Sequence, residues 1–390
     1  MLSLFRFGRA DRSFLARWFW TVDRTLLFLI FLLMGIGVIA VAAASPAAAL
    51  RLSDAQTRLP PLYFFHRQLM WVGLGLVVLL SVSMLPKNLA RRLALAGAVL
   101  SFVLLLLVPF FGFEKNGAVR WLQLPGLQLQ PSELMKPLFA VFTAWLLAAR
   151  FEDRSLPVIP LSAITLAMIL ALLVMQPDFG QAALISAVWL VQAALAGLSL
   201  HVIGGAILLG LAGLTLAYFT NDHVERRIDA FLHGAGDTYQ VDRALDALRA
   251  GGLFGTGPGD GEAKFRLPEA HTDYIFAVIG EEFGAIACFA LALLYLVIIV
   301  RVLLQLVEEE DPFTLLAGAG LVVQFGGQAF INMSVNLALA PSKGMTLPFI
   351  SHGGSSYLAT ALGLGLLLAL TRRNRHLQAS PYLRASGVAA

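Results

Sequence analysis

Ten stretches of this chain are apolar over roughly the 20 residues that a helix needs to cross the hydrocarbon core of a bilayer. A soluble fold has nowhere to bury so many, and the composition agrees: 58% of residues are hydrophobic and the mean hydropathy is +0.78. The runs lie at about 25–45, 69–85, 93–112, 132–149, 161–176, 180–198, 202–220, 273–304, 313–338 and 355–370. The eighth is long enough to tilt or protrude. The expected fold is an all-α polytopic membrane protein of about ten transmembrane helices.

Lysine and arginine orient the spans. With the N-terminus inside, that side holds Arg6, Arg9, Arg12, Arg17, Arg24, Lys87, Arg91, Arg92, Arg150, Arg154, Arg301, Arg372, Arg373, Arg375 and Arg384, which is 15 of the 28 basic residues. Ten spans return the C-terminus to the cytoplasm. The expected organisation is a basic cytoplasmic N-tail (1–24), a membrane domain (25–371) and a C-tail (372–390), with a large outer loop at about 221–272 between spans 7 and 8. "VAAASPAAA" resembles a signal-peptidase site, but about 24 polar and aromatic residues precede a run of spanning length, so an uncleaved first helix is expected. Arginines mixed with Phe14, Trp18 and Trp20 suggest a short interfacial helix before it.

The net charge of +4 does not point to nucleic acid, because no basic stripe with interleaved aromatics is present. The single cysteine, Cys288, excludes an internal disulfide or a cysteine metal site.

On this topology the unusual polar residues collect on the outer face, in four places. In "NGAVRWLQLPGLQLQPSELMKP", Ser132 reads as a helix start, and Glu133 and Lys136 share one helix face. They form either a structural ion pair or the wall of a polar cavity. Arg120 and Trp121 either bind an anionic head group or anchor at the interface. In "QPDFG", Asp178 most simply caps the following helix.

In the third place, "GGLFGTGPGDG" matches neither phosphate-loop spacing and reads as a flexible external loop. The preceding "QVDRALDALRA" puts Val241, Ala244, Leu245 and Leu248 on one side, as in an interfacial helix. In the fourth, "APSKGMTLPFISHGGSS", Lys343 sits before a glycine and between prolines, in what reads as an ordered, partly re-entrant loop.

The third place ends in "LPEAHTDYIFAVIGEEFG", which packs five ionisable residues into a chain only 13% charged. Asp273 is expected at or beside the N-cap of the eighth helix, where the dipole favours its ionised form. An ordinary cap is the simpler reading of the spacing; general-base work on a hydroxyl is the other. Glu281 and Glu282 lie two turns deeper and are expected to support the bundle rather than react. No HExxH or similar metal pattern accompanies His271.

Taken together, "NGAVRWLQL", "QPSELMKP", "QPDFG", "GPGDGEAKFRLPEAHTDYIFAVIGEEFG" and "NMSVNLALAPSKGMTLPFISHGGSS", in this order and on ten spans, resemble the SEDS family of shape, elongation, division and sporulation proteins. The resemblance covers about 18–375. The long basic N-tail and the wording around "LPEAHTDYIFAV" look more like its division branch than its elongation branch. Ala244, Ser334 and His352 depart from residues common in the family, and none of them is expected to touch Asp273.

The resemblance implies an inverting peptidoglycan glycosyltransferase of the bacterial inner membrane, active on the periplasmic face at the septum. Its substrates would be lipid II, the undecaprenyl diphosphate-linked disaccharide pentapeptide, and the nascent glycan strand. Asp273 would be the catalytic carboxylate. Glu133, Lys136, Arg120, Lys343, Lys264, His271 and Asp178 would be substrate-binding. A divalent cation, Mg or Mn, is compatible with this chemistry and would be held through substrate phosphates. The implied partners are a class B penicillin-binding protein transpeptidase, FtsI-like, and other divisome proteins. An elongation polymerase with the same chemistry, a lipid II flippase and a scaffold for the partner synthase are the alternative readings.

Overall fold

In hydrocarbon every backbone N–H and C=O must be bonded within its own segment, so the apolar runs have no option but to coil. The computed structural model describes residues 13–372 apart from 54–57, 116–117, 125–126, 221, 234–237 and 343. The ten expected runs fold in order as α2 (Arg24–Leu52), α3 (Tyr63–Ser83), α4 (Lys87–Phe111), α5 (Pro131–Glu152), α6 (Val158–Met175), α7 (Phe179–Leu195), α8 (Leu200–Thr220), α11 (Ile275–Val307), α12 (Pro312–Asn336) and α13 (Gly354–Leu370). Eight are long and apolar enough to cross a membrane; α7 and α13, at 17 residues each, are shorter.

Three further helices are amphipathic or polar. The short interfacial helix is α1 (Phe14–Thr21), capped by the Ser13 hydroxyl and tied to the end of α3 by Trp18 Nε1 donating to Ser83 Oγ. The others are α9 (Asp222–His233) and α10 (Tyr239–Gly251). Residues 1–12 of the expected N-tail and all of the C-tail after residue 372 lie outside the described residues.

Helices α5 and α12 form the centre of the bundle, and most of their residues are buried. α8 stands at the other extreme and buries none. Deep between α5, α7 and α12, Gln192 Nε2 donates to Ala140 O (2.7 Å) and Leu316 O (3.0 Å), while its Oε1 accepts from Thr143 Oγ1. A polar side chain among apolar helices is satisfied there entirely by protein, as low dielectric demands.

The all-α class holds, with one addition: after α4 the chain forms a small antiparallel sheet, β1 (Phe113–Lys115), β2 (Ala118–Leu124) and β3 (Leu127–Leu129), in the order β1-β2-β3. Two expectations need correction. "GGLFGTGPGDG" is not a flexible loop but an ordered brace, described below. α10 does not lie free at an interface either. Ala244 and Ala247 are fully buried, and Gly251 meets α11 so closely that a methyl group would fall on the Gly280 carbonyl oxygen.

The brace explains the long eighth run. α11 breaks at Gly284, whose φ of 83° and ψ of 173° lie where an L side chain is strained. The break unpairs backbone groups, and the glycine-rich segment takes them up. Thr256 N–H donates to Glu281 O, Gly257 N–H to Glu282 O, Ala285 N–H to Gly252 O and Ile286 N–H to Leu253 O, at 2.9–3.3 Å. Residues 285–307 alone would span about 34 Å as a helix, enough for the bilayer. The remaining part of α11, 275–283, is enclosed by protein, with every residue from Ile275 to Glu282 buried.

Candidate active site

Glu281 and Glu282 therefore sit inside protein rather than against lipid, and each has a dedicated partner. Glu281 accepts from the backbone N–H groups of Ala263 (2.6 Å) and Lys264 (2.8 Å), at the start of a 3-10 helix, Ala263–Arg266. Glu282 pairs with Lys264, both side chains being at most 1% exposed. These two acids support the bundle, as expected. Lys264, expected at the substrate, is placed in this buried pair.

Asp273 lies one residue before Tyr274, the N-cap of α11. A first-turn N–H of α11 finds a side-chain acceptor on another helix. Ala277 N–H, in the first turn of α11, donates to Asn336 Oδ1 at 3.1 Å as well as to Tyr274 O. Asn336 supplies the acceptor that the simple reading assigned to Asp273.

The turn that carries Asp273 is clamped at three successive carbonyls. His271 O accepts from His352 N–H (2.8 Å) and Thr272 O from Ser351 Oγ (2.6 Å). Asp273 O accepts from both Asn332 Nδ2 (2.8 Å) and Asn336 Nδ2 (2.9 Å). The clamping residues come from α12 and from the loop that follows it. That loop is ordered, as expected, with Met345, Leu347, Phe349 and Ile350 buried. A methyl group at Gly344 would lie 3.2 Å from Asp273 Oδ2, so the carboxylate abuts this loop. Lys343 itself lies outside the described residues. The His271 ring packs on Phe64 (centroids 4.3 Å) and beside the His352 ring (5.7 Å).

A second charged group forms around α5. Lys136 Nζ lies 2.9 Å from Glu133 Oε2 and donates to Gln328 Oε1 at 2.7 Å, while Gln181 Nε2 donates to Glu133 Oε1 at 2.6 Å. Arg120, on β2, donates to the carbonyls of Gln176 (2.9 Å) and Pro177 (2.6 Å) at the end of α6. Asp178 occupies the N-cap position of α7, but its side chain closes no capping hydrogen bond; Gln130 Nε2 approaches its Oδ2 at 3.4 Å. Burial raises the Asp178 pKa, against the pull of Arg120 and with Glu133 adding to the rise.

The two groups are connected. Gln328 Nε2 donates to Thr346 O (2.9 Å), and Asn332 Nδ2 to Met345 O (2.6 Å) as well as Asp273 O. A continuous polar path thus runs from Gln181 through Glu133, Lys136 and Gln328 to the loop beside Asp273. Among the described residues no three His, Cys, Asp or Glu side chains gather as a metal site.

A family model of cell cycle proteins, the FtsW, RodA and SpoVE group, matches residues 24–376. The chain belongs to that family.

A relative from Caulobacter vibrioides named "Probable peptidoglycan glycosyltransferase FtsW" is 42% identical over 369 residues, covering 94% of this chain and 93% of its own. One of the same name from Trichlorobacter lovleyi is 34% identical over 361 residues, covering 90% and 93%. Among solved structures, a chain from work on the structural coordination of polymerization and crosslinking by a peptidoglycan synthase complex superposes with a TM-score of 0.72 at 28% identity, covering 90% of this chain and 97% of that one. The rod shape determining protein RodA of Thermus thermophilus gives 0.64 at 28%, covering 90% and 96%.

Within this family fold, three amides that sequence reading passed over hold the site together: Gln328, Asn332 and Asn336. The signal was present in α12, where they follow Gln324 at intervals of four and so share one face of a largely apolar helix. Polar residues repeated on one face of a membrane helix mark a functional or packing surface.

Proposed function

We propose that this protein is a peptidoglycan glycosyltransferase that polymerises lipid II during septal wall synthesis, with Asp273 as general base. The observation that carries this reading is the clamping of the turn that holds Asp273. Asn336 satisfies the helix start, and the Asp273 backbone is fixed at its carbonyl while its carboxylate abuts the Gly344 loop. A carboxylate held by its backbone, at the edge of a polar path, suits proton abstraction.

In this reaction the acceptor's GlcNAc 4-hydroxyl attacks the anomeric carbon of the donor's terminal sugar. Its proton passes to Asp273 as the new C–O bond forms. The anomeric C–O bond to phosphate breaks, and its electron pair leaves with undecaprenyl diphosphate, inverting the centre. Arg120, which is partly exposed, and Lys343 are the groups to offset the diphosphate charge. Lys136 is 1% exposed and so acts through Gln328 and the potential of the site. A divalent cation would enter with the diphosphate. Lys264, held by Glu282, is left out of substrate contact.

The N- and C-termini are assigned to the cytoplasm and the Asp273 face to the periplasm of the inner membrane. The FtsW-named relatives favour the division role over elongation, and the likeness to a synthase complex supports a class B penicillin-binding protein as partner. A flippase would need polar groups open to a head group through the bundle. The deep Gln192 group instead has its bonds filled by protein, which favours the polymerase.

The test is glycan-strand formation from lipid II by the purified protein with its partner synthase, with and without Asp273→Ala. Polymer is expected from the wild type and almost none from the folded variant. Normal polymerisation by Asp273→Ala would sink the base assignment. Movement of lipid II across vesicles with no polymer would favour the transporter.

A further inference from the structure

The connection between α2 and α3 is built as a pocket rather than a plain turn. Ser45 Oγ, two turns below the end of α2, donates to Pro61 O at 2.7 Å and pins the approach to α3 against α2. Ser53 Oγ, just past α2, accepts from Leu59 N–H at 3.0 Å. The 3-10 helix Ala263–Arg266 also packs on α2. Between these pieces lies an open cavity of about 630 Å³, walled by Pro46, Ala49, Leu50, Leu59 and Phe265, with Arg58 as its one charged lining residue.

The depth of the cavity follows from the length of α2. At 29 residues the helix is about 43 Å long, which is about 13 Å more than the hydrocarbon core. Its first turn is fixed by the Asp23 cap and the Arg301 pair, so the surplus emerges on the face that carries Asp273. The cavity therefore lies at head-group depth. Leu50 and Phe265 are 67% and 41% exposed there, an apolar surface set among polar surroundings.

The charge beside it is equally out of place. This face is the one assigned to the periplasm, where lysine and arginine are scarce in short connections, yet Arg51, Arg58 and Arg67 follow one another here. Arg67 is occupied: it donates to Tyr63 OH at 3.1 Å, with its guanidinium over the same ring. Arg51 and Arg58 are exposed. A guanidinium is weakly hydrated and forked, which suits it to phosphate oxygens next to apolar surface.

We propose that this cavity binds an anionic phospholipid of the surrounding membrane, its phosphate on Arg58 and the start of an acyl chain against Leu50 and Phe265. Charge complementarity selects this occupant. An apolar chain alone would leave the arginine unmatched, and a soluble phosphate would leave the walls wet. The bound lipid bears on Ala263–Arg266, whose first N–H groups hold Glu281 and which leads into the Asp273 turn.

The test uses the full-length protein in phosphatidylcholine vesicles, with Phe265→Trp as a fluorescent reporter at the cavity and the wild type as background. Brominated phosphatidylglycerol should quench the reporter at about one fifth of the mole fraction that brominated phosphatidylcholine needs. Arg58→Gln should remove most of this preference, whereas Arg67→Gln should keep it. If Phe265→Trp fails to fold, as judged by thermal unfolding, Leu50→Trp reports on the same cavity. Equal quenching by the two lipids would overturn the proposal. So would an equal loss of preference in both arginine variants, because that would reflect only the general charge of the surface. Unlabelled phosphatidylglycerol should relieve the quenching. Relief by lipid II alone would assign the cavity to the substrate and overturn the phospholipid reading.

Discussion

Lys136 Nζ lies 2.9 Å from Glu133 Oε2, with the two side chains 1% and 5% exposed. Both charges are also hydrogen-bonded to neutral amides, Lys136 to Gln328 and Glu133 to Gln181. Removing one partner would strand the other charge in a low-dielectric interior, which typically costs about 3–5 kcal/mol. Lys136→Met should therefore lower the unfolding temperature sharply. The double variant Glu133→Gln, Lys136→Met should recover much of the loss, because no unpaired charge remains. Thermal unfolding of the wild type, both single variants and the double variant closes the cycle. A double variant as unstable as the sum of the singles would mean that the two residues do not act as a pair.

The helices around that pair were legible because a membrane chain has one period and one length scale. The small sheet was not, since β1 and β3 have three residues each and carry no alternating pattern long enough to read. The break in α11 was hidden because a glycine in "EEFGAIA" is as compatible with a continuous helix as with a kink; only the brace from Gly252, Leu253, Thr256 and Gly257 decides it. Within the site, Glu133 with Lys136 was readable from i,i+3 spacing. The cap from Asn336 to Ala277 was not, because it joins residues that only the folded bundle brings together. The same is true of Lys264 with Glu282.

The brace itself can be tested at Gly284. A side chain there would have to adopt φ near 83°, and its Cβ would fall on the Leu253 carbonyl oxygen. Gly284→Ala should straighten α11 or expel the 251–257 segment, at a cost of about 1–3 kcal/mol or more. Because Asp273 sits on the turn that leads into this helix, activity should fall with stability. Hydrogen exchange at Thr256, Gly257, Ala285 and Ile286 provides the readout, and unchanged protection at these amides would contradict the brace.

At the opposite end of α11, Arg301 grips Asp23 in a two-pronged pair, Nε to Oδ2 at 2.8 Å and Nη2 to Oδ1 at 2.9 Å, with Gln305 also donating to Oδ2. Asp23 caps α2 through Thr25 and Leu26 N–H. Burial pushes its pKa up, but the Arg301 bond and the capping bond more than offset this and hold the carboxyl below its ordinary value. A carboxylate depressed in the folded state adds stability above its unfolded pKa and loses it as pH falls through the folded value. Asp23→Asn should therefore be less stable than wild type at neutral pH, with the gap closing below about pH 4. A gap that stays constant well below that pH would assign the effect to packing instead.

Asp178 makes the opposite case. It is 5% exposed, and burial raises its pKa above 3.8 despite the opposing charges of Arg120 and Lys136, with Glu133 adding to the rise. Between the unfolded and folded values the native state binds more protons, so this group costs stability as pH rises through that window. Asp178→Asn keeps the shape and removes the charge. It should raise the unfolding temperature at neutral pH and flatten the fall in stability across the window. Polymerisation should decline in the same variant if the charge helps to set Arg120 for the diphosphate, since a destabilising buried charge is commonly retained for function. Unfolding and lipid II turnover measured together across pH decide the matter: a variant that is both more stable and fully active would leave Asp178 without a role in the reaction.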